Sequence, residues 1–232
     1  MANANRVEKD NKMATTKKVA SIIACGEGGT LLGRNGNHAL RNIHDHIVKG
    51  GAGHQPVALV PTIPCLAAAL MAAAEAGPPD LVQIIGHARP GVLLLEQYWT
   101  KAYRKTDRTI YCAVDSSPHF YEALRGTVCP PTEVWLLGCD LGAKWEGPPG
   151  DDAPPASAAV LLFALGQLWG TRVWASKGTV NVGQFDEAGV YEGPLVGLEE
   201  TRYFEAGVSN ESGRERTGGV RILEDFWPSA AS

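Results

Sequence analysis

Along the chain, apolar residues gather into short unbroken runs instead of alternating with polar ones. The runs are Val19–Cys25, Val57–Val60, Leu81–Ile85, Val134–Leu137 and Val173–Ser176. Strands that are apolar on successive residues are expected where a sheet is covered on both faces, as parallel sheets are. Between the runs the spacing changes to that of helices. Leu40, Ile43 and Ile47 share one face of a segment from about Asn37 to Lys49, which Gly50, Gly51 and Gly53 end. Thr62 is suited to cap an alanine-rich helix with Gly77 beyond its last turn. Ser117-Pro118 reads as the cap and first residue of a helix ending near Gly126. Another helix is expected from about Ala156 to Trp169, with Gly170 as its stop. Strands separated by helices predict an α/β fold, a helix–sheet–helix sandwich with a mostly parallel central sheet.

Three stretches depart from this pattern. Val92 to Thr109 is mixed and predicts a hairpin or loop on the periphery. Glu146 to Pro155 repeats Pro, Gly and Asp and predicts an exposed loop. From Gly178 onward come short strand-like pieces, with turns at Glu187-Ala-Gly189 and Glu192-Gly-Pro194, which predict a small antiparallel C-terminal extension. The organisation expected is a disordered tail over 1–17, one domain over 18–208 and a loose extension over 209–232.

Composition narrows the function classes. With 44% hydrophobic residues in 232, the chain has material for one sizeable core. A net charge of −4, with no basic block beyond Lys17 and Lys18, argues against nucleic-acid binding, because neutralising phosphates needs a concentrated basic surface. The N-terminal residues contain no apolar stretch of the kind a secretory signal needs. The longest apolar helix, Ala158 to Trp169, falls short of the ~20 residues that cross a bilayer. A cytoplasmic location is expected, or delivery elsewhere by a route without a signal. The five cysteines Cys25, Cys65, Cys112, Cys129 and Cys139 are odd in number and form no C-x-x-C pair, which fits a reducing compartment and no zinc or disulfide framework.

The chemistry concentrates where two of the runs end alike. Ile84-Ile-Gly-His87 and Leu136-Leu-Gly-Cys139 each put a reactive side chain just past a glycine at the carboxyl end of a buried strand. Ligands of open α/β sheets bind outside those ends. A lone strand-end cysteine is ordinarily a packed thiol, and a lone Gly-His a turn histidine; it is the pairing that singles these two out. His38, His44, His46 and His54 cluster in sequence, but His44 and His46 lie on different helix faces, so no metal site is expected. Gly26, Gly28 and Gly29 lack the lysine and the spacing of a phosphate loop. Asp140 follows Cys139 with no role that adjacency alone assigns. Asp115 reads as a helix entry, and Asp151 and Asp152 as a solvated loop.

Ile85-Gly-His87-Ala-Arg-Pro-Gly91 followed by Trp135-Leu-Leu-Gly-Cys139 resembles the histidine and cysteine motifs of caspase-like (clan CD) cysteine peptidases. The histidine comes first, about fifty positions upstream of the cysteine, as in caspases. The likeness is greatest to the autoprocessing protease domains of large bacterial toxins and to a related domain of bacterial surface proteins. It spans roughly Leu81 to Gly193, including Val173–Ser176 and Phe185–Gly189, and departs from the pattern at Ala88, where glycine is usual. The resemblance implies a caspase-like fold and a thiol protease in which Cys139 attacks a peptide carbonyl and His87 acts as its acid–base partner. It implies backbone N–H groups of Ala88 and Cys139 as the oxyanion hole, which Ala88 can supply only if its φ stays negative. An extended peptide substrate is expected beside Val173–Ser176, with Trp174 and Ser176 walling the pocket for the residue before the cut. It also implies self- or partner-processing, switched by a ligand or binding event. The toxin domains use an inositol polyphosphate, but Arg202, Arg214, Arg216 and Arg221 form no cluster, so no cofactor is expected. The alternative is a catalytically inactive module of the same fold that presents the crevice or sheet edge to a protein.

Overall fold

The structure is a computed structural model that describes residues 17–25, 31, 38–50, 55–95, 109–111, 122–144 and 158–197. All five apolar runs are strands: β1 (Val19–Ala24), β2 (Ala58–Val60), β3 (Leu81–Ile85), β7 (Glu133–Leu137) and β8 (Val173–Ser176). Among the described residues three helices lie between them: α1 (His38–Gly50), α2 (Ile63–Glu75) and α3 (Ala158–Trp169). The signals that mark their ends act as expected. Thr62 is extended (φ −144°) and its side chain accepts a hydrogen bond from the Cys65 amide at 3.4 Å. Gly77 and Gly170 adopt φ of +114° and +63°, the left-handed region in which a Cβ is penalised.

The main sheet has the order β2-β1-β3-β7-β8-β9, where β9 is Leu195–Val196. Every pairing is parallel except β8 with β9. A second, antiparallel sheet joins β4 (His87–Arg89), β5 (Val92–Leu94) and β6 (Thr109–Tyr111). The chain is therefore α/β, with a mostly parallel six-stranded sheet and a small antiparallel one. Among the described residues no helix is long and apolar enough to cross a membrane.

The two faces of the main sheet are covered differently. Ile22, Ile84, Leu136 and Ala175 face α2 and α3 in one continuous apolar cluster. On the opposite face Ile23, Ile85 and Leu137 meet Leu40, Ile43 and Ile47 of α1, together with Val180, Phe185 and Tyr191. The burial of each α1 residue contributes about 1.5–3 kcal/mol. The segment carrying Phe185 and Tyr191 is fixed to the sheet by polar bonds. Gln83, fully buried in the middle of β3, accepts from the Tyr191 amide at 2.8 Å and donates to the Gly189 carbonyl at 3.0 Å and Ser21 Oγ at 3.1 Å. His46 of α1 contacts the Asp186 carbonyl through Nε2 at 2.8 Å, so it is a structural tie and not a solvated helix histidine.

Two expectations need correction. The hairpin after β3 is not peripheral: Leu93, Leu95 and Ile110 are fully buried in the cluster beneath α2 and α3. Nor is β8 an open edge for an added strand, because β9 pairs with it at Ala175↔Val196 and Ser176↔Leu195. The short pieces after Gly178 do include this antiparallel strand and a Phe185↔Tyr191 bridge, but Val182–Gln184 is a 3-10 turn capped by Asn181. Lys17, placed by sequence at the end of the tail, reaches Glu133 at 3.5 Å and stands 5.3 Å over the Trp135 ring. The rest of that tail, the 26–29 loop, His54, Cys112, Asp115, the helix start at Ser117-Pro118, the 146–155 loop and everything past 197 lie outside the described residues.

Candidate active site

The two glycine-ended strands are adjacent at the centre of the sheet. β3 and β7 pair in parallel with Ile85 opposite Leu137, and the Gly86 amide continues the ladder by donating to the Leu137 carbonyl at 2.9 Å. Both strand tips need glycine because other chain segments press on them, the β3 tip on Gly138 and the following hairpin on Gly86. A Cβ on Gly138 would lie 2.4 Å from Ala88 Cβ and 2.8 Å from the Gly86 carbonyl oxygen, and one on Gly86 would lie 2.3 Å from the Leu94 carbonyl oxygen. The methyl group of Ala88 thus rests on the bare α-carbon of Gly138. His87 and Cys139, one residue past each glycine, are both half-buried.

Directly after β3 the chain turns into the β4–β5 hairpin, and His87 is its first residue, paired with Leu94. After β7 it makes a tight turn in which the Leu141 amide donates to the Gly138 carbonyl at 3.2 Å. Cys139 and Asp140 occupy the middle of that turn. Asp140, at φ +57°, is the one non-glycine residue with positive φ among those described. This conformation costs an L-residue roughly 1–2 kcal/mol. The turn is held against the chain beyond β8: the Asp140 amide donates to the Gly178 carbonyl and the Gly142 amide to the Ser176 carbonyl, each at 2.8 Å. Ala88 is not in the left-handed region, so the condition its side chain sets is met.

Cys139 Sγ receives the Val180 amide at 3.5 Å. Burial first, then the electrostatic influence of Cys139, raises the pKa of Tyr191. Cys25, at the end of β1, differs from Cys139 in being sealed at 0% exposure, and burial followed by the neighbouring Cys65 pushes its thiol up to about 11. At neutral pH Cys25 therefore stays protonated and inert. Cys65 and Cys129 are exposed.

The two expected pocket residues diverge. Ser176 is fully buried and its hydroxyl is committed to the strand tip, accepting from the Gly138 amide at 2.9 Å and donating to the Gly138 carbonyl. It holds the Cys139 turn instead of walling a pocket. Trp174 is half-buried, and its Nε1 has no hydrogen-bond partner among the described residues. Sequence reasoning missed Val180 and Tyr191, which lie far along the chain from Cys139 and carry no local motif. The signal for Asp140 was faint: aspartate is among the residues that tolerate φ > 0. Comparison of the chain with protein-family models, curated proteins and solved structures found no match.

Proposed function

We propose that the chain is a cysteine endopeptidase of the caspase-like type, with Cys139 as nucleophile and His87 as its acid–base partner. The observation that carries this reading is the in-register pairing of β3 and β7, which sets Gly86-His87 beside Gly138-Cys139 at the carboxyl ends of the two central strands. That is the end of an α/β sheet at which ligands bind. The Cys139 thiol passes its proton to His87 as Sγ attacks the peptide carbonyl, His87 gives that proton to the departing amine, and water then hydrolyses the thioester to release the acid and restore the thiol. The backbone N–H groups of Cys139 and Ala88 are assigned to the oxyanion. Losing one such donor typically costs about 2.7–4 kcal/mol in the transition state. The Val180 amide, which donates to Sγ at 3.5 Å, helps to hold the sulfur in place.

The test is cleavage of a peptide library by the wild type, Cys139→Ala and His87→Ala, with a peptidyl acyloxymethyl ketone mapped to its labelled cysteine. Cleavage should vanish in Cys139→Ala and fall by about 10²–10⁴ in His87→Ala. Equal cleavage by all three proteins would sink the assignment. So would a wild type that neither cuts nor labels at Cys139, the result expected of a binding module that shares the fold.

A further inference from the structure

Ser176 is fully buried, and its hydroxyl is shared between the two sides of a single residue. It accepts from the Gly138 amide at 2.9 Å and donates to the Gly138 carbonyl. A hydroxyl has one proton to give, an amide N–H cannot accept and a carbonyl cannot donate. The two bonds therefore have one assignment, with the proton on the Gly138 carbonyl. The β7–β8 register runs as far as Leu136 opposite Ala175. Past that level the Ser176 carbonyl turns to the Gly142 amide at 2.8 Å, and the serine side chain takes over the bonding to β7.

The direction of two successive peptide units follows from these bonds. β7 lies between β3 and β8. The Leu137 carbonyl faces β3, where the Gly86 amide binds it at 2.9 Å, and the Gly138 amide of the same unit faces β8. In a trans peptide the C=O and N–H point opposite ways. The next unit is reversed. Its carbonyl, that of Gly138, is held on the β8 side by Ser176, so its N–H, that of Cys139, points to the side on which the chain after β3 carries His87 and Ala88. Gly138 is bare because a Cβ there would lie 2.4 Å from Ala88 Cβ, and a glycine leaves this unit more freedom to rotate than another residue would. Turned over, the unit would present a carbonyl oxygen where the Cys139 amide stands and would strand the buried Ser176 proton. The Leu141 amide, 3.2 Å from the same carbonyl, is the longer of the two bonds that oppose the rotation.

We propose that Ser176 is a positioning residue for the oxyanion hole of the Cys139 site, its hydroxyl locking the Gly138–Cys139 peptide with the N–H aimed at the attacked carbonyl. The proposal rests on the peptidase reading above. The hydroxyl meets no reacting atom; it acts through the peptide unit it holds. Its bonds are in place before substrate arrives, and donors fixed in advance are the ones that stabilise charge developing in the transition state. Donation into the Gly138 carbonyl also polarises the unit, which strengthens the Cys139 N–H as a donor.

Peptide cleavage by wild type and Ser176→Ala, read beside two probes of Cys139, tests this. A peptide aldehyde forms a tetrahedral adduct on Sγ and draws on the oxyanion donors, whereas alkylation by iodoacetamide needs only the thiolate. In Ser176→Ala kcat should fall by about 10–10³, toward the loss for a missing oxyanion donor, with KM unchanged. Aldehyde affinity should fall with it, while alkylation at Cys139 keeps the wild-type rate. If the alanine variant does not fold, Ser176→Cys, which keeps the shape with a much weaker donor, is read in the same way. Unchanged kcat and aldehyde affinity overturn the proposal. So does an alkylation rate that drops in step with kcat, because the hydroxyl would then support the thiol and not the amide. Either result leaves the peptidase reading standing; a wild type that neither cuts nor binds the aldehyde overturns both.

Discussion

The two faces of the central sheet are built on different principles. The face under α2 and α3 is a continuous apolar cluster, with Leu136, Leu161, Leu165 and Ala175 all at 1% exposure or less. The face under α1 sets the buried polar Ser21 and Gln83 beside Ile23 and Ile85, and it is closed by a segment that Gln83 and His46 tie down. That second face also holds Cys25 and Tyr191, whose hydroxyl has no hydrogen-bond partner among the described residues. The contrast teaches that uninterrupted apolar packing and individually placed polar groups are separated across the sheet. Both faces supply burial, but the α1 face also carries polar groups whose positions are set one by one.

The largest expected effect lies on the apolar face. Leu165→Ala should cost about 2–5 kcal/mol in urea unfolding, because it opens a cavity among close-packed side chains. A cost under about 1 kcal/mol would mean that face is no better packed than the other. Next comes alkaline pH, which attacks the α1 face. Cys25 has its folded pKa raised from 9.0 to about 11, so the unfolded chain releases its proton first. The contribution is intact below pH 9 and is lost as pH rises toward 11, by at most ~3 kcal/mol. Unfolding of wild type and Cys25→Ala across that range should converge as pH rises; parallel curves would contradict the assignment.

Gln83→Leu sharpens the comparison further. It strands the Tyr191 amide and the Gly189 carbonyl, for a loss of about 1–3 kcal/mol. Hydrogen exchange at the Tyr191 amide should accelerate while amides of α3 stay protected. Uniform acceleration would show that the two faces open together. The smallest effect is a gain: Asp140→Gly relieves a left-handed aspartate and should stabilise by about 1 kcal/mol, offset in part by glycine's entropy in the unfolded chain.

The sequence made legible what depends on neighbours. Unbroken apolar runs marked the five parallel strands, Leu40, Ile43 and Ile47 marked the buried stripe of α1, and Thr62, Gly77 and Gly170 marked helix ends. The adjacency of the two glycine-ended strands was an expectation that the sheet order turned into geometry. What stayed hidden depends on contacts distant in sequence. Nothing local to Ser176 announces that its hydroxyl will clasp Gly138, nothing in Leu195-Val196 announces an antiparallel partner for β8, and the buried hairpin at Leu93 reads as an ordinary mixed loop. Tyr191 is legible only once Gly193 and Gln83 are seen around it.

The proposed chemistry requires one imidazole and one thiol within reach of each other, and a short bifunctional alkylator measures that reach. The folded full-length protein should react with dibromoacetone to give a single bridge joining the Cys139 and His87 peptides in the digest, while the exposed Cys65 and Cys129 are alkylated without bridging. Alkylation at Cys139 with no link to His87, or a Cys139 that reacts only after unfolding, would contradict the account.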